Sequence, residues 1–481
     1  MRQSRRADGG GMTAAERRAA LSLAAIYATR MLGLFMILPV FALYAEHLEG
    51  ETPALVGLAI GVYGLTQAVL QIPFGMLSDR VGRKPVITAG LLVFAAGSAV
   101  AALSHTIWGV IAGRALQGAG AVASALMALV ADLTREEHRL RAMAVIGGTI
   151  GLSFAVALVL GPLVDVWVGV PGIFWLTALL ALAGVAVLHL WVPRPARARV
   201  HRDAEPVAGQ FGAVLGHREL LRLDLGVFVL HLLLTASFVA VPLALRDQAG
   251  LDPGRHWLVY LGVMLVALAA MVPLVVLAER RRRMKPVFVG AVVALAVAEL
   301  LLDLGRASLW GTVGALVVFF VAFNVLEATL PSLVAKWADP DKRGTAMGVY
   351  ASAQFLGAFA GGVLGGWLHG ALGLEAVFLG CAALAAGWAV VAATMAPPPA
   401  LSSRLLPVAA AGPEEAETLA ARLRRVPGVV EAVVIAEDGV AYLKVDARRL
   451  DPADLEPFRA PEASEERASR DPSAAISPPG S

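Results

Sequence analysis

In a chain of 481 residues that is 58% hydrophobic and only 16% charged, the ionisable residues inside long apolar runs need a chemical explanation. Arg30, Arg114, His231 and Glu327 lie in such runs, with the polar Asn324 one turn from Glu327. A charge at the middle of a bilayer costs roughly 2.5–3.5 kcal/mol on insertion scales, so each of these groups needs a partner or a wet cavity. Counted at about 1.5 Å per residue from the same side, Arg30 and Glu327 reach similar depths and are the expected partners of one another. Two readings of that pair stand: a proton switch, and an ion pair that only holds helices together. His231 is either a group titrating in the working pH range or a hydrogen-bonded core histidine. Glu299 is either a proton carrier or the acceptor of a local hydrogen bond. Gln67 and Gln71 are one turn apart and share a face, where they line a cavity or bridge helices. No nucleophile elbow, phosphate loop or metal triad occurs, and the single Cys381 excludes an internal disulfide or a thiolate cluster. The sequence therefore predicts no enzyme, no cofactor and no metal.

A second polar feature lies outside the apolar runs. Gly75-Met-Leu-Ser-Asp-Arg-Val-Gly-Arg-Lys-Pro-Val86 is a short charged segment between two runs long enough to span a membrane. A degraded copy, Val276-Leu-Ala-Glu-Arg-Arg-Arg-Arg-Met-Lys-Pro-Val287, follows about 200 residues later. The repeat extends further, pairing Pro39 with Pro242, Pro73 with Pro273, and Arg139-x-x-Ala142-Met143 with Arg343-x-x-Ala346-Met347. Val159-Leu-Gly161 and Val363-Leu-Gly365 continue it. Duplication in the same direction is one of the known ways transporters are built.

The elements that position these residues are helices, because lipid leaves backbone groups no outside partner. Runs of about 20 apolar residues predict twelve spans, near 20–45, 53–77, 84–104, 106–132, 141–165, 171–193, 222–246, 255–279, 286–305, 307–335, 344–369 and 373–396. The first run lacks an Ala-x-Ala exit and reads as a retained span. If the N-terminus is cytoplasmic, the inner loops hold Arg80, Arg83 and Lys84, then Arg135, Arg139 and Arg141, then Arg194, Arg197, Arg199 and Arg202. They also hold Arg280 to Arg283 with Lys285, and Lys342 with Arg343. The outer loops hold only Arg246, Arg255 and Arg306. This bias places both termini in the cytoplasm. With the basic residues at span ends and a net charge of +3, nothing points to nucleic acid.

The predicted organisation is a cytoplasmic N-terminus (1–19), a six-helix bundle (20–193), a connector (194–221), a second six-helix bundle (222–396), a soluble domain (397–460) and a disordered tail (461–481). Glycines at 147, 148, 151, 357, 361, 362, 365 and 366 are expected to let helices approach closely. In the soluble part, Leu405 to Val408 reads as a strand and Glu414 to Arg425 as a helix. Val429 to Ile435 and Val440 to Val445 read as a hairpin about Asp438-Gly439, with a further helix from Pro452.

Gly75, Leu77, Asp79, Arg80, Gly82, Arg83 and Lys84 match in full the loop pattern Gly-x-Leu-x-Asp-Arg-x-Gly-Arg-Lys, and Arg114, Gln117 and Gly118 match Arg-x-x-Gln-Gly. With twelve spans in two parallel halves, the chain resembles the major facilitator superfamily. The span 5 signature of drug/proton antiporters is matched by Gly148 and Gly161-Pro162, while Ala157 and Asp165-Val166 depart from it. The segment from Arg30 to Met36 and the appended domain are similar to a subgroup with a C-terminal soluble module. The resemblance implies a fold of two parallel six-helix bundles whose spans 1, 4, 7 and 10 line a central cavity. It also implies a conformational latch of Asp79, Arg80, Arg83, Lys84 and Asp132, with Asp79 at the N-terminal end of span 11, where a helix favours an anion, and Arg83 on Asp132. Val426-Pro-Gly-Val429 and Val433-Val-Ile435 are similar to ferredoxin-like metal-binding modules, without their Cys-x-x-Cys pair.

The expected function is secondary active transport of a small solute by alternating access, coupled to protons and directed outward, in a plasma (inner) membrane. A non-transporting membrane sensor and an uncoupled facilitator are the alternatives. The soluble domain has regulation, self-association and stability as its open roles.

Overall fold

The computed structural model describes residues 12–193, 208–281, 283–339, 342–398, 401–409, 412–435, 439–446 and 449–460. The chain divides into two compact units at the Ala396/Pro397 boundary. The first unit is helical throughout: α1 (Ala14–Phe35), α2 (Leu38–Ala45), α3 (Pro53–Val81), α4 (Arg83–Leu103), α5 (Ile107–Ala119), α6 (Ala123–Leu133) and α7 (Glu136–Leu190) form its first half. After it come α8 (Phe211–Leu215), α9 (Arg218–Asp247), α10 (His256–Arg280), α11 (Met284–Gly305), α12 (Leu309–Trp337), α13 (Arg343–Leu372) and α14 (Leu374–Ala393). The first half of the predicted connector, 194–207, lies outside the described residues.

Among the described residues, eleven segments are long and apolar enough to cross a membrane. α1 with α2 counts as one of them, and α5 with α6 as another. The first pair is broken after Phe35 because Pro39 has no N–H to donate and its ring crowds the Phe35 carbonyl. The second is broken at Gly120, where a Cβ would stand 2.4 Å from the Gly90 carbonyl oxygen of α4. Helices also start earlier than hydropathy predicts. α1 begins at Ala14, fixed by a capping box in which Thr13 and Glu16 bond each other's backbone N–H. Charged first turns escape a hydropathy count, yet caps make them helical.

The eleventh-versus-twelfth span depends on α7. Its apolar part, Val145–Leu190, has 46 residues and would run about 70 Å if straight, twice a bilayer core. Gly169 breaks it at φ 67°, ψ 175°, a conformation with no Cβ penalty only for glycine. Before the break, Gly161 lies against Met36 and Pro39; after it, Thr177 lies against Gly33 and Gly184 against Ile26 and Thr29. Partners climb from Glu16 for Arg135 and Phe35 for Phe154 to Met36 and Pro39 for Gly161, then fall back to Ile26 after Gly169, so the chain doubles back there.

The two halves meet along α3 and α13. A Cβ at Gly57 would lie 2.1 Å from the Gly362 carbonyl oxygen, one at Gly64 would lie 2.4 Å from that of Phe355, and one at Gly366 would lie 2.4 Å from that of Pro53. Gly357 and Gly361 touch the Phe228 and Leu232 carbonyls of α9 in the same way. The expectation of close helix approach fits the glycines of α13 but not Gly147, Gly148 and Gly151, whose added Cβ would meet nothing within 4 Å. Those three face away from every neighbouring helix, which a sequence pattern without a partner helix does not reveal.

The second unit is a three-stranded antiparallel sheet of order β1-β3-β2, with β1 (Leu401–Pro407), β2 (Val429–Ile435), β3 (Val440–Asp446) and a helix α15 (Pro413–Leu423). Leu406, Leu423, Ala432, Ala441, Leu443 and Val445 form its core. Side chains alternate across a strand, so Leu405, Tyr442 and Val433, in register with one another, fall on the opposite, exposed side. β1 starts four residues before the predicted strand, and Asp438 of the hairpin turn lies outside the described residues, as does the tail from 461. The expected helix from Pro452 is a 3₁₀-helix, Pro452–Phe458.

The glycine seam makes a direct prediction. Gly57→Ala or Gly362→Ala, each forcing backbones apart, is expected to destabilise the protein by about 1–3 kcal/mol; Gly147→Ala is expected to leave it unchanged or slightly more stable. Thermal unfolding of the purified full chain measures both.

Candidate functional site

The charged loop closes on itself. α3 ends at Gly82, whose φ of 108° turns the chain into α4 and brings Arg83 back over the last turn of α3. Arg83 Nε donates to Asp132 Oδ2 at 3.1 Å and its Nη1 donates to Ser78 Oγ at 2.8 Å and to Asp79. The side chains of Arg83 and Asp132 are 1% and 0% exposed. The pair therefore sits away from water, where a charge-assisted bond counts for more than at the surface. Lys84 Nζ donates to the carbonyl oxygens of Leu188, at 2.9 Å, and Val192, tying the loop to the end of α7. Arg80 is exposed. Asp79 bonds Arg83, four residues on, and among the described residues makes no hydrogen bond to α13.

Inside the first half, Arg30 and Arg114 flank the Tyr63 ring from α1 and α5. All three nitrogens of Arg114 have partners: it donates to Gln117 Oε1 at 2.9 Å and to the Ile60 and Ala59 carbonyls at 3.3 and 3.4 Å. Gln117 in turn donates to Ser98 Oγ at 2.7 Å. At Gly118, a Cβ would stand 2.2 Å from the Tyr63 carbonyl oxygen, so the Arg-x-x-Gln-Gly pattern is a helix-joining device between α3, α4 and α5. Arg30 donates through Nη2 to the Tyr63 hydroxyl at 2.7 Å and to Gln67 Oε1.

The expected Arg30–Glu327 pair is not formed. Arg30 is turned into the first half, toward Tyr63 and Gln67, and Glu327 instead has its Oε2 3.8 Å from His231 Nε2. Equal depth along two helices does not fix the direction in which either side chain points, and that decides the partner. His231 Nδ1 lies 3.2 Å from the Val227 carbonyl, which accepts its hydrogen and leaves Nε2 to accept from Gln354 Nε2 at 2.8 Å. Asn324 Nδ2 donates to the Phe320 carbonyl of its own helix at 2.8 Å. Gln71 bridges helices, donating to Ser352 Oγ across the seam at 2.9 Å, while Gln67 serves Arg30. Glu299, wholly buried, has Oε1 2.7 Å from Ser237 Oγ, which is also 2.7 Å from the Leu233 carbonyl. A hydroxyl has one hydrogen to share between those two oxygens, so both contacts are bonds only when the Glu299 carboxyl carries a proton.

Several groups were missed by sequence reasoning. Asp224 is buried in α9 with Oδ2 unpartnered, seven residues before His231 and therefore on the same helix face. Its place at the edge of an apolar run hid it. Tyr350 of α13 is buried with its hydroxyl unpartnered, within electrostatic reach of Glu327 and Asp224. On the face opposite the charged loop, Arg246 Nη1 and Nη2 donate to Glu46 at 2.6 and 2.8 Å, joining the ends of α2 and α9. Near the N-terminus, Glu16 accepts from the Arg135 backbone and guanidinium at 2.9–3.1 Å.

A bundle of apolar spans with polar residues held between two repeated halves defines a multi-spanning transporter of the major facilitator type. The Major Facilitator Superfamily profile matches residues 23–223 and 223–436, and the chain belongs to that family. It is 48% identical over 437 residues to the inner membrane transport protein YajR of Escherichia coli (strain K12), covering 91% of this chain and 96% of that protein. It is 27% identical over 360 residues to the multidrug resistance protein MdtH of Aeromonas hydrophila, covering 70% and 84%. Among solved structures, a bacterial homolog of the human lysosomal transporter Spinster, inward-facing and occupied, superposes with a TM-score of 0.65 at 14% identity, covering 79% and 97%; at that identity the likeness is one of fold. Members of this family are transport proteins, not enzymes.

The charged loop is testable by a double-mutant cycle. Arg83→Ala and Asp132→Ala are each expected to cost about 1.5–3 kcal/mol, with the double mutant costing less than their sum. Thermal unfolding measures all three.

Proposed function

We propose that this chain exports a small solute across the inner membrane by alternating access, driven by protons taken up in the second half of the bundle. The observation that carries this reading is the convergence of His231 from α9, Glu327 from α12 and Gln354 from α13. An imidazole whose unprotonated Nε2 lies beside a carboxylate can share an incoming proton with it. Adding one converts His231 Nε2 from acceptor to donor, so the contact with Gln354 must break or its amide must turn. Because Gln354 stands on the helix that forms the seam, protonation is linked to the packing between the halves.

Counting the runs on either side of Gly169 separately gives twelve spans, six in each half. Basic residues at the ends of α3, α10 and α12 and the start of α13 support cytoplasmic placement of that face and of both termini. On this orientation the Glu46–Arg246 bond ties the halves together on the outer side, and Gln71 and Ser352 join them further in. The arrangement is that of a carrier closed outward. The loop of Asp79, Arg80, Arg83, Lys84 and Asp132 then acts as the inner latch, with Asp79 free to move to the N-terminal end of α13 when the inner side closes. The names of the relatives, an inner membrane transport protein and a multidrug resistance protein, agree with export.

Two experiments test the reading. In proteoliposomes subjected to a pH jump, Glu327→Gln is expected to abolish solute-coupled proton movement. Unchanged coupling rejects the role of Glu327, and no coupling in the unaltered protein favours a sensor or an uncoupled facilitator. For the outer closure, Glu46→Arg and Arg246→Glu are each expected to lengthen spin-label distances between positions 47 and 255, and the double exchange is expected to restore them.

A further inference from the structure

We propose that the first half of the bundle binds an organic anion, with Arg30 as its charge partner and Gln67 and Tyr63 as flanking donors. The inference deepens the transport reading by naming the class of solute. It rests on a difference between two buried guanidiniums. Each nitrogen of Arg114 has a partner, two on carbonyls and one on Gln117. Arg30, only 1% exposed, uses Nη2 alone, and its Nε and Nη1 are buried without a partner. Gln67 Oε1 accepts from Arg30, which fixes the amide and makes Nε2 the outward donor; that atom too is buried and unpartnered.

Every unpartnered atom in this group is a donor, so the complement is an acceptor. A neutral acceptor would satisfy the hydrogen bonds but not the charge. No carboxylate pairs with Arg30 among the described residues, and an uncompensated cation away from water is costly. An oxyanion answers both demands, since Nε and Nη1, on different edges of the guanidinium, each offer it a charge-assisted hydrogen bond. The surrounding wall is aromatic: the guanidinium carbon lies 5.9 Å from the Tyr63 ring centre and 5.8 Å from that of Phe94. Phe355 of α13, from the other half, stands 6.3 Å from Tyr63. Polar donors beside apolar ring faces suit a solute with an acidic group on an apolar body. The placement of Phe355 puts that solute at the moving seam, with carboxylates Asp224, Glu299 and Glu327 confined to the opposite half.

The probe is benzoate, added to the purified full chain in detergent at constant ionic strength, with benzyl alcohol, benzyltrimethylammonium, chloride and phosphatidylglycerol as separate arms. Benzoate alone is expected to raise the unfolding temperature and to give a calorimetric binding signal. Arg30→Gln is expected to weaken that binding at least about tenfold. Gln67→Glu, which sets a built-in carboxylate against Arg30, is expected to do the same and carries the test should Arg30→Gln fail to fold. Equal stabilisation by the alcohol or the ammonium overturns the proposal, as does a full effect of chloride or of the lipid, or benzoate binding unchanged by both substitutions. Benzoate binding without coupled flux would instead sink the transport reading and leave this one standing.

Discussion

A bilayer interior supplies neither donors nor acceptors, and that constraint shapes everything in the first unit. Backbone groups close their own ladders as helices. Each side-chain donor or acceptor that remains must find its partner on a carbonyl of its own helix, as Asn324 does, or on another helix. Arg114 binds carbonyls of α3, Gln117 reaches Ser98 of α4, and Gln71 crosses to Ser352 of α13. Polar bonds therefore determine which helices are neighbours, while the apolar majority fills the space between them. Groups left unpartnered in such a setting, such as Arg30 Nε and the Tyr350 hydroxyl, stand out because burying a polar group without a partner is costly.

Motion needs a different property. Apolar side chains interdigitate and resist sliding, whereas backbone laid on backbone through glycine offers a smooth contact. The α3–α13 seam is of this second kind, with Gly57, Gly61, Gly64, Gly362 and Gly366 bringing main chains together. The side-chain bonds between α3 and α13, Gln71 to Ser352 Oγ and Ser352 Oγ to the Ala68 carbonyl, are neutral. The stronger ionic tie, Glu46 to Arg246, lies at one end of the bundle. Charge at the periphery and glycine along the seam together favour rocking between halves over shear within one.

The two halves descend from a duplicated sequence yet hold different chemistry. Away from the charged loop and the helix ends, the first half buries Arg30 and Arg114, and the second buries Asp224, Glu299 and the shielded oxygen of Glu327. Cation on one side of the seam and carboxylates on the other is a division of labour that an ion pair between Arg30 and Glu327 would have cancelled. On the proposed reading, their separation keeps a guanidinium for a solute and carboxyl groups for protons.

By itself the sequence determined the spans, the repeat, the loop motif and the soluble module, because hydropathy, glycine spacing and charge clusters are local properties that the bilayer and backbone read directly. Gly169 lies in the gap left between the fifth and sixth predicted spans, and Arg83 finds Asp132 as the family pattern implies. Only the tertiary structure decided which polar groups meet. Arg30 turns to Gln67 rather than Glu327, His231 takes Gln354 and Glu327, Asp224 joins the same helix face, and Gly147 touches nothing. Partnering depends on the rotation of each helix about its axis, and that rotation is set by packing against neighbours that lie hundreds of residues away in the chain.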